Sequence, residues 1–133
     1  MPGSFFDSNV LLYLASTDPV KAGQAEAAIA GGGAISVQVL NEVANVARRK
    51  MRMSFADTRM FLNMLRSVLT VHPLTVENHE RGLRLAERYG LSTYDAMIAA
   101  SALHAGCDKL WSQDMQHEMK LEGLRILDPF RDE

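Results

Sequence analysis

The chain is poor in cysteine, with Cys107 alone among 133 residues. One thiol cannot form a disulfide within the chain, which argues against a disulfide-stabilised extracellular scaffold and favours a reducing compartment. No apolar run approaches the roughly 20 residues that a membrane-spanning helix needs, so no membrane partner is expected. The first residues also lack the basic start and long apolar stretch of an export signal. We therefore expect a cytoplasmic protein.

An excess of positive charge is also missing. The net charge is −2, which argues against a protein that binds nucleic acid through charge alone. Basic residues are nevertheless concentrated between positions 48 and 66, where Asp57 is the one acid among six bases. These bases are Arg48, Arg49, Lys50, Arg52, Arg59 and Arg66. The cluster fits either a solvated helix end or a phosphate-binding patch, and the charge pattern leaves both interpretations open.

Zinc-ligand spacing is absent as well, because the four histidines and the cysteine form no paired motif. Short apolar segments alternate with helical segments, without repeats or linkers, and this pattern predicts one domain over residues 1–133 with an α/β fold and a parallel sheet. The predicted strands are Ser4–Phe6, Ala34–Ile35, Thr70–Leu74, Lys109–Ser112 and Leu124–Leu127. The predicted helices run from Pro19 to the glycines at 31–33, from Val37 to Lys50, from Ser54 to Leu69, from Thr75 to Gly90 and from Thr93 to Gly106, with Asp18, Thr75 and Thr93 among the caps.

Two acids follow predicted strands. Asp7 comes directly after the first strand, and Asp114 follows the strand that ends at Ser112. Each alone is explained as a turn residue or a helix cap. The carboxyl ends of parallel strands share one edge of a sheet, where binding sites form. The two acids together are therefore more suggestive than either one.

Two further acids lie on predicted helices. Glu42 falls beside Val39 and Val46, on the border of its helix's apolar face, where it is either solvated or directed into a cleft. Asp95 stands in the first turn of a helix that is apolar almost all round. Backbone N–H groups stabilise an anion there. A carboxylate at the start of a buried element nevertheless needs a partner.

A hard divalent cation is a suitable partner for such acids. Mg²⁺ takes oxygen ligands, keeps several waters and is typically held by one or two carboxylates. Carboxylates that cluster without a cation raise one another's pKa. With a metal they stay ionised, and the metal lowers the pKa of a bound water. Sequence spacing alone does not bring the four acids together.

Four segments each contain one of these acids: Phe6–Tyr13, Leu40–Val43, Leu91–Ile98 and Leu110–His117. In this order they resemble the PIN-domain family, and within it the VapC-like toxin ribonucleases of bacterial toxin–antitoxin pairs. The closing segment Gly123–Phe130 also fits, so the resemblance covers the whole chain. Each motif alone is weak, whereas four in order are specific. One departure is that Met115, Gln116 and His117 follow the fourth acid, where many family members carry a further acid.

The resemblance implies a three-layer α/β/α fold whose short parallel β-sheet, flanked by helices, gathers Asp7, Glu42, Asp95 and Asp114 into one pocket. It implies an endoribonuclease that uses Mg²⁺ or Mn²⁺ to cut single-stranded regions of RNA. Asp7 and Asp95 would be direct metal ligands. Glu42 and Asp114 would act through water or a second metal, a choice that the missing fifth acid leaves open.

The resemblance also implies supporting roles. Asn9 would hold Asp7 in place, and Ser112 would support the last acid or contact a phosphate. The candidate RNA-binding residues are Arg48, Arg49, Lys50 and Arg52.

The implied partners are a second copy of the chain, forming a homodimer, and a cognate antitoxin that blocks the pocket. The predicted helix Ser54–Leu69 has an apolar arc of about 200°, wider than the ~100° stripe that a single core contact needs. Core filling explains part of this arc, and a partner groove with adaptable methionines explains the rest. The arc consists of Met60, Met64, Phe61, Val68, Leu65, Leu69 and Leu62.

Two other functions are weighed against this one. A Mg²⁺-dependent phosphoryl-transfer or receiver-like α/β domain would also place acids at strand ends. It would need a second acid beside Asp7, where Ser8 and Asn9 stand, and a receiver needs a lysine after a late strand, whereas Lys109 precedes it. A non-catalytic PIN-like interaction module is the other alternative, and the presence of all four acids disfavours it.

Overall fold

The computed structural model describes residues 3–131, in which six short strands form one sheet. They are β1 (Ser4–Phe6), β2 (Ala34–Ser36), β3 (Thr70–His72), β4 (Lys109–Trp111), β5 (Lys120–Leu121) and β6 (Leu124–Leu127). Their order across the sheet is β3-β2-β1-β4-β6-β5. The first five in this order run parallel, and β5 pairs antiparallel with β6 at the edge.

Six α-helices accompany this sheet within residues 3–131. They are α1 (Ser8–Leu12), α2 (Pro19–Ile29), α3 (Val37–Arg49), α4 (Phe55–Val68), α5 (Val76–Tyr89) and α6 (Thr93–His104), and a 3₁₀ turn at Tyr13–Ala15 continues α1. Every one of these α-helices begins at a side chain that accepts a hydrogen bond from a backbone N–H of its first turn. The predicted fold class is therefore confirmed: a mixed α/β fold with a mostly parallel sheet flanked by helices.

The structure differs from the sequence-based prediction in local details. The predicted cap Thr93 is the first helical residue of α6, and Ser92 is the cap, because its hydroxyl accepts from the N–H of Asp95. β3 ends at His72, ahead of Pro73, which has no N–H to continue a ladder. Helix α1 and the edge strand β5 were not predicted at all.

The core lies between the sheet and the helices that cover its two faces. Phe5, Phe6 and Leu110 of the central strands are fully buried, as expected for parallel strands covered on both sides. Helix α6 packs against β2, β4 and β6 through a face rich in alanine, which lets its backbone approach the sheet closely. No helix within residues 3–131 is long and apolar enough to cross a membrane.

One part of the apolar arc of α4 is buried in the core, and the other part is exposed. Leu65 and Leu69 are buried, whereas Met60, Met64 and Val68 are exposed by 70%, 39% and 47%. The exposed part borders a groove of about 580 Å³ between α2 and α4. Burial inside this chain therefore accounts for only part of the arc.

Candidate active site

The topology places a crevice at the carboxyl ends of β1 and β4. From β1 the chain moves outward through β2 and β3, and it then crosses back to β4 on the other side of β1. Where the strand order reverses in this way, a crevice opens outside the carboxyl ends of the two strands. Phe6 and Trp111, the last residues of β1 and β4, are in register. The residues that follow them, Asp7 and Ser112, therefore stand side by side in the crevice.

Asp7 is the fixed centre of this crevice. It is only 5% exposed, and it caps α1 through a 2.7 Å hydrogen bond that its Oδ1 accepts from the N–H of Ser8. Its Oδ2 accepts from the Ser112 hydroxyl at 2.9 Å and from the Asn9 amide at 3.4 Å. The turn-or-cap interpretation of Asp7 and the functional one are thus compatible, because capping holds the carboxylate in one orientation.

Ser112 contacts a different acid from the one predicted. Its hydroxyl donates to Asp7, the first acid, rather than to Asp114, because β4 lies next to β1 in the sheet. Asn9, besides donating to Asp7, accepts at 3.0 Å from the N–H of Gln113. The two residues together fasten the loop after β4 to the first turn of α1.

Glu42 is directed into the same crevice, which resolves the choice between solvation and a cleft. Helix α3 packs against α1, and the Ser8 hydroxyl donates to Oε1 of Glu42 at 2.9 Å. The Gln38 amide, one helical turn earlier, donates to Oε2 at 3.1 Å. Both carboxylate oxygens of Glu42 are therefore oriented by neutral donors.

Asp95 reaches the crevice from the first turn of α6. The cap Ser92 fixes that turn, and the Gln38 amide also donates to the Tyr94 carbonyl at 3.4 Å. Gln38 thus links the helix that carries Glu42 with the helix that carries Asp95.

The electrostatics show which acids act on one another. The pKa of Asp7 is raised from 3.8 to about 6, firstly by burial and additionally by the negative charges of Glu42 and Asp95. The hydrogen bonds from Ser112 and from the Ser8 N–H oppose this rise. Asp7, Glu42 and Asp95 therefore form one electrostatic group, which we call the acid triad.

Asp114 stands apart from the acid triad. It is exposed in the turn that follows β4, and it is not among the charges that raise the pKa of Asp7. The structure therefore brings together three of the four predicted acids. The role of Asp114 stays a prediction.

The donor set suits a hydrated divalent ion better than a closed protein cage. Among residues 3–131, no three His, Cys, Asp or Glu side chains are close enough to ligate one ion together. Mg²⁺ does not need such a cage, because it is usually bound through one or two carboxylates and keeps several waters. A buried carboxylate with a raised pKa and two acidic neighbours is also an environment that a cation would relieve. The acid triad thus fits Mg²⁺ or Mn²⁺ in donor chemistry and in charge.

Comparison with known proteins gives the family. The sequence model of the PIN domain family matches residues 4–119. The chain belongs to the PIN domain family.

Solved structures share this PIN fold. A toxin–antitoxin complex from Klebsiella pneumoniae has 24% identity and a TM-score of 0.74, over 97% of this chain and 99% of that chain. VapC20 from Mycobacterium tuberculosis, described as a sarcin–ricin loop cleaving toxin, has 18% identity and a TM-score of 0.65 over 80% and 86%. VapBC2 from Rickettsia felis, bound to a promoter DNA fragment, has 18% identity and a TM-score of 0.67 over 94% of this chain and 97% of that chain. At these identities the likeness shows the fold alone. Among curated proteins, none matches this sequence.

The predicted RNA-binding residues of this PIN domain lie at the far end of α3. Arg48 is already engaged, since it donates to the Met53 carbonyl and lies 3.8 Å from the centroid of the Phe55 ring. Arg49, Lys50 and Arg52 are exposed. Arg49 follows Glu42 by seven positions, which is about 10 Å along the helix axis. The exposed cations are therefore within reach of a strand of nucleic acid that also crosses the acid triad.

Sequence reasoning missed two residues of the site, Ser8 and Gln38. Both are neutral donors that hold Glu42. The signal for Gln38 was its i,i+4 spacing to Glu42, which places the two side chains on the same helix face. Ser8 gave no comparable signal, because its partner is 34 residues away and the helix α1 that positions it was not predicted.

The raised pKa of Asp7 predicts a pH-dependent stability for the metal-free protein. The folded state keeps the Asp7 proton up to about pH 6, whereas the unfolded chain loses it near the ordinary value of 3.8. The folded state binds more protons between these values, so the free energy of unfolding falls as pH rises. Protonated Asp7 contributes roughly 3 kcal/mol to the free energy of unfolding. This contribution is fully present below about pH 4 and is lost as the pH rises through about 6.

Urea unfolding in chelator between pH 4 and 8 measures this loss. Asp7→Asn should remove this component of the pH dependence and leave that of the other groups. A variant whose curve has the same slope as the parent would show that Asp7 titrates normally.

Proposed function

We propose that this PIN domain is a metal-dependent endoribonuclease that cuts single-stranded regions of RNA. The observation that carries the proposal is the acid triad, which stands at the carboxyl ends of β1 and β4 with Asp7 buried and electrostatically coupled to Glu42 and Asp95. A merely structural helix cap needs no such neighbours. Family membership supports the same function, because the acids lie in the segments that match the family.

In this proposal Asp7 and Asp95 hold Mg²⁺ or Mn²⁺, and Glu42 and Asp114 act through water or a second ion. The ion, when bound, would polarise the scissile phosphate and lower the pKa of the attacking water. The chain's own residues provide the orientation. Ser112 and the first turn of α1 fix Asp7, as the hydrogen bonds to its two oxygens indicate.

Glu42 is available to accept a proton within the site. Its two oxygens are held by Ser8 and Gln38, and neither donor carries a charge that would neutralise it. An oriented carboxylate beside an activated water can act as a general base. The exposed cations at the end of α3 would bind phosphates on one side of the cut, which offsets the repulsion between RNA and the acid triad.

The experiment is a cleavage assay on the purified chain. A labelled single-stranded oligoribonucleotide and the matching duplex are incubated with Mg²⁺, with Mn²⁺ and with chelator. We expect metal-dependent cuts in the single strand, no cuts in chelator, and slower cutting of the duplex. Bound Mn²⁺ without any cleavage would favour the non-catalytic interaction module, and cleavage that persists in chelator would exclude the metal mechanism.

We further propose that the enzyme acts in the cytoplasm as the toxin of a toxin–antitoxin pair and is a homodimer. The exposed methionines of α4 and the groove beside them support a protein partner, and the Klebsiella pneumoniae relative is a toxin–antitoxin complex.

Purification of the chain from its native host should yield a small co-purifying protein that silences cleavage. Met64→Glu, which places a charge in the exposed arc, should release it, whereas Glu26→Gln at the opposite rim of the groove should not. A parent chain that purifies without any partner protein would contradict the toxin assignment.

A further inference from the structure

The ring of Tyr94, which directly precedes Asp95 of the acid triad, packs against no other ring or cation within residues 3–131. Tyr94 is 71% exposed. The other two tyrosines are half-buried, and Tyr13 packs against the Phe130 ring at 4.5 Å between centroids. Folding thus leaves in water a ring that could bury a large area against a ligand.

The backbone beneath this ring is fixed to the site. Tyr94 precedes Asp95 directly, in the first turn of α6. Its carbonyl accepts from the Gln38 amide, which also donates to Glu42. The ring therefore moves only about its own side-chain torsions, while its attachment point keeps a constant place relative to the acid triad.

A small cavity is lined by two residues that neighbour Tyr94, although Tyr94 itself does not line it. A cavity of about 160 Å³ borders Gln38 and Met97, and Met97 lies three residues after Tyr94 on the same side of α6. Polar and apolar atoms both line it. Gln38 and Met97 therefore offer one polar and one apolar side chain near the attachment point of the Tyr94 ring.

We propose that Tyr94 is a stacking platform for one base of the single-stranded RNA, adjoining the phosphate at the acid triad. This inference rests on the proposed function and deepens it by assigning a nucleobase subsite. Unpaired bases expose their flat faces, and proteins bind single-stranded nucleic acid by stacking them on aromatic rings. Stacking also suits an acidic site. It holds a neutral base, so the negative charge of the acid triad does not weaken it.

The position of the ring favours RNA over a protein partner. An exposed tyrosine is also common in protein interfaces. Here, however, the ring is one residue from Asp95 and is tied through Gln38 to Glu42. The exposed methionines proposed for a protein partner belong to another helix, α4.

The test measures binding without cleavage. Single-stranded oligoribonucleotides with 2-aminopurine at successive positions are titrated with the protein in chelator, and anisotropy and base fluorescence are recorded. Tyr94→Leu should bind about 5- to 150-fold more weakly and lose the fluorescence quenching at one position. Tyr94→Trp should keep both, because indole also stacks. Leu83→Ala, which removes an exposed apolar side chain from α5, is the control and should bind as the parent does.

Two further readings separate stacking from charge. Tyr94→Leu should leave the slope of affinity against salt unchanged, because stacking releases no counterions. It should also leave duplex binding unchanged, since paired bases are not free to stack on the ring. A Tyr94→Trp variant as weak as Tyr94→Leu would overturn the subsite. Unchanged single-strand affinity in Tyr94→Leu would also overturn it. RNA that binds with the expected Tyr94 dependence but is never cut in Mg²⁺ or Mn²⁺ would instead refute the proposed function alone.

Discussion

Replacing Asp7 with asparagine is expected to lower the rate of RNA cleavage on the order of 10³-fold, the size of losing several kcal/mol of metal-assisted charge stabilisation. Asparagine has nearly the same shape, and its oxygen can still accept from the Ser8 N–H that begins α1. What disappears is the negative charge at the buried centre of the acid triad. The other two acids remain, but neither is buried and held by donors to the same extent.

The measurement is single-turnover cleavage at saturating Mn²⁺, with Mn²⁺ affinity determined separately. Asp57→Asn is the matched control, because Asp57 is an exposed acid in the first turn of α4 and has no part in the site. Asp7→Asn should fold normally and should be at least as stable as the parent above pH 6 without metal, since the raised pKa shows that the ionised carboxyl is unfavourable there. A fully active Asp7→Asn protein would sink the metal–carboxylate mechanism.

The acid triad could be anticipated from sequence only in part. Periodicity placed Glu42 on the border of an apolar face, and strand-end placement linked Asp7 with Asp114, whereas the neighbour that the structure gives Asp7 is Ser112. Sequence could not show the Ser8–Glu42 hydrogen bond, which joins residues 34 positions apart. The convergence of Glu42 and Asp95 depends on how α3 and α6 pack around the sheet, and helical phase carries no information about that packing.

Asp114 illustrates the limit of reasoning from strand ends. Two acids that follow parallel strands must lie at one edge of the sheet, but not at the same depth. Asp7 follows β1 directly and is held in the crevice by three donor groups, the Ser8 N–H, the Asn9 amide and the Ser112 hydroxyl. Asp114 comes three residues after β4, and Ser112 occupies the position equivalent to Asp7. A shift of two residues is enough to change a buried acid into an exposed one.

The elements that sequence predicted well have strong local signals. Asp18 with Pro19 marks the start of α2, and Gly90, with a φ of 70°, ends α5. The missed elements are those without such signals. Helix α1 has only five residues and is fixed by tertiary contacts, whereas β5 has two residues and exists because β6 offers it an edge.

Substitution of Gly33 by alanine is expected to lower the free energy of unfolding strongly. The adjacent Gly31 and Gly32 differ from Gly33 in backbone conformation and in surroundings. An added Cβ at Gly33 would meet the Ser4 carbonyl oxygen at 2.5 Å and the Phe6 ring at 2.6 Å, and the φ of Gly33 is 148°. Neither neighbour can yield easily, since one is strand backbone and the other a buried ring. Gly33→Ala is therefore expected to cost about 4 kcal/mol, from backbone strain and from overpacking. That is a large part of the stability of an ordinary domain.

The neighbouring glycines are the controls for this prediction. Gly32 has a φ of 79° but open space around its Cβ position, so Gly32→Ala should cost only the backbone strain, about 1–2 kcal/mol. Gly31 has neither a positive φ nor a close neighbour, so Gly31→Ala should be neutral or slightly stabilising. Urea unfolding of the three variants measures the order directly. Equal stability of Gly33→Ala and Gly32→Ala would show that the sheet accommodates the methyl group.

Gly33→Ala should also disturb the geometry of the acid triad. The carbonyl that the methyl group would strike belongs to β1, three residues before Asp7, and the ring belongs to Phe6, the residue that precedes Asp7. Relief of the overlap requires β1 and β2 to separate, and β2 leads directly into α3, which carries Glu42. The distance between Asp7 and Glu42 is thus set by the close approach of two strands that only glycine permits. Under conditions where Gly33→Ala is still folded, we expect weaker Mn²⁺ binding than in Gly32→Ala, because the pairing of β1 with β2 holds two of the three acids together.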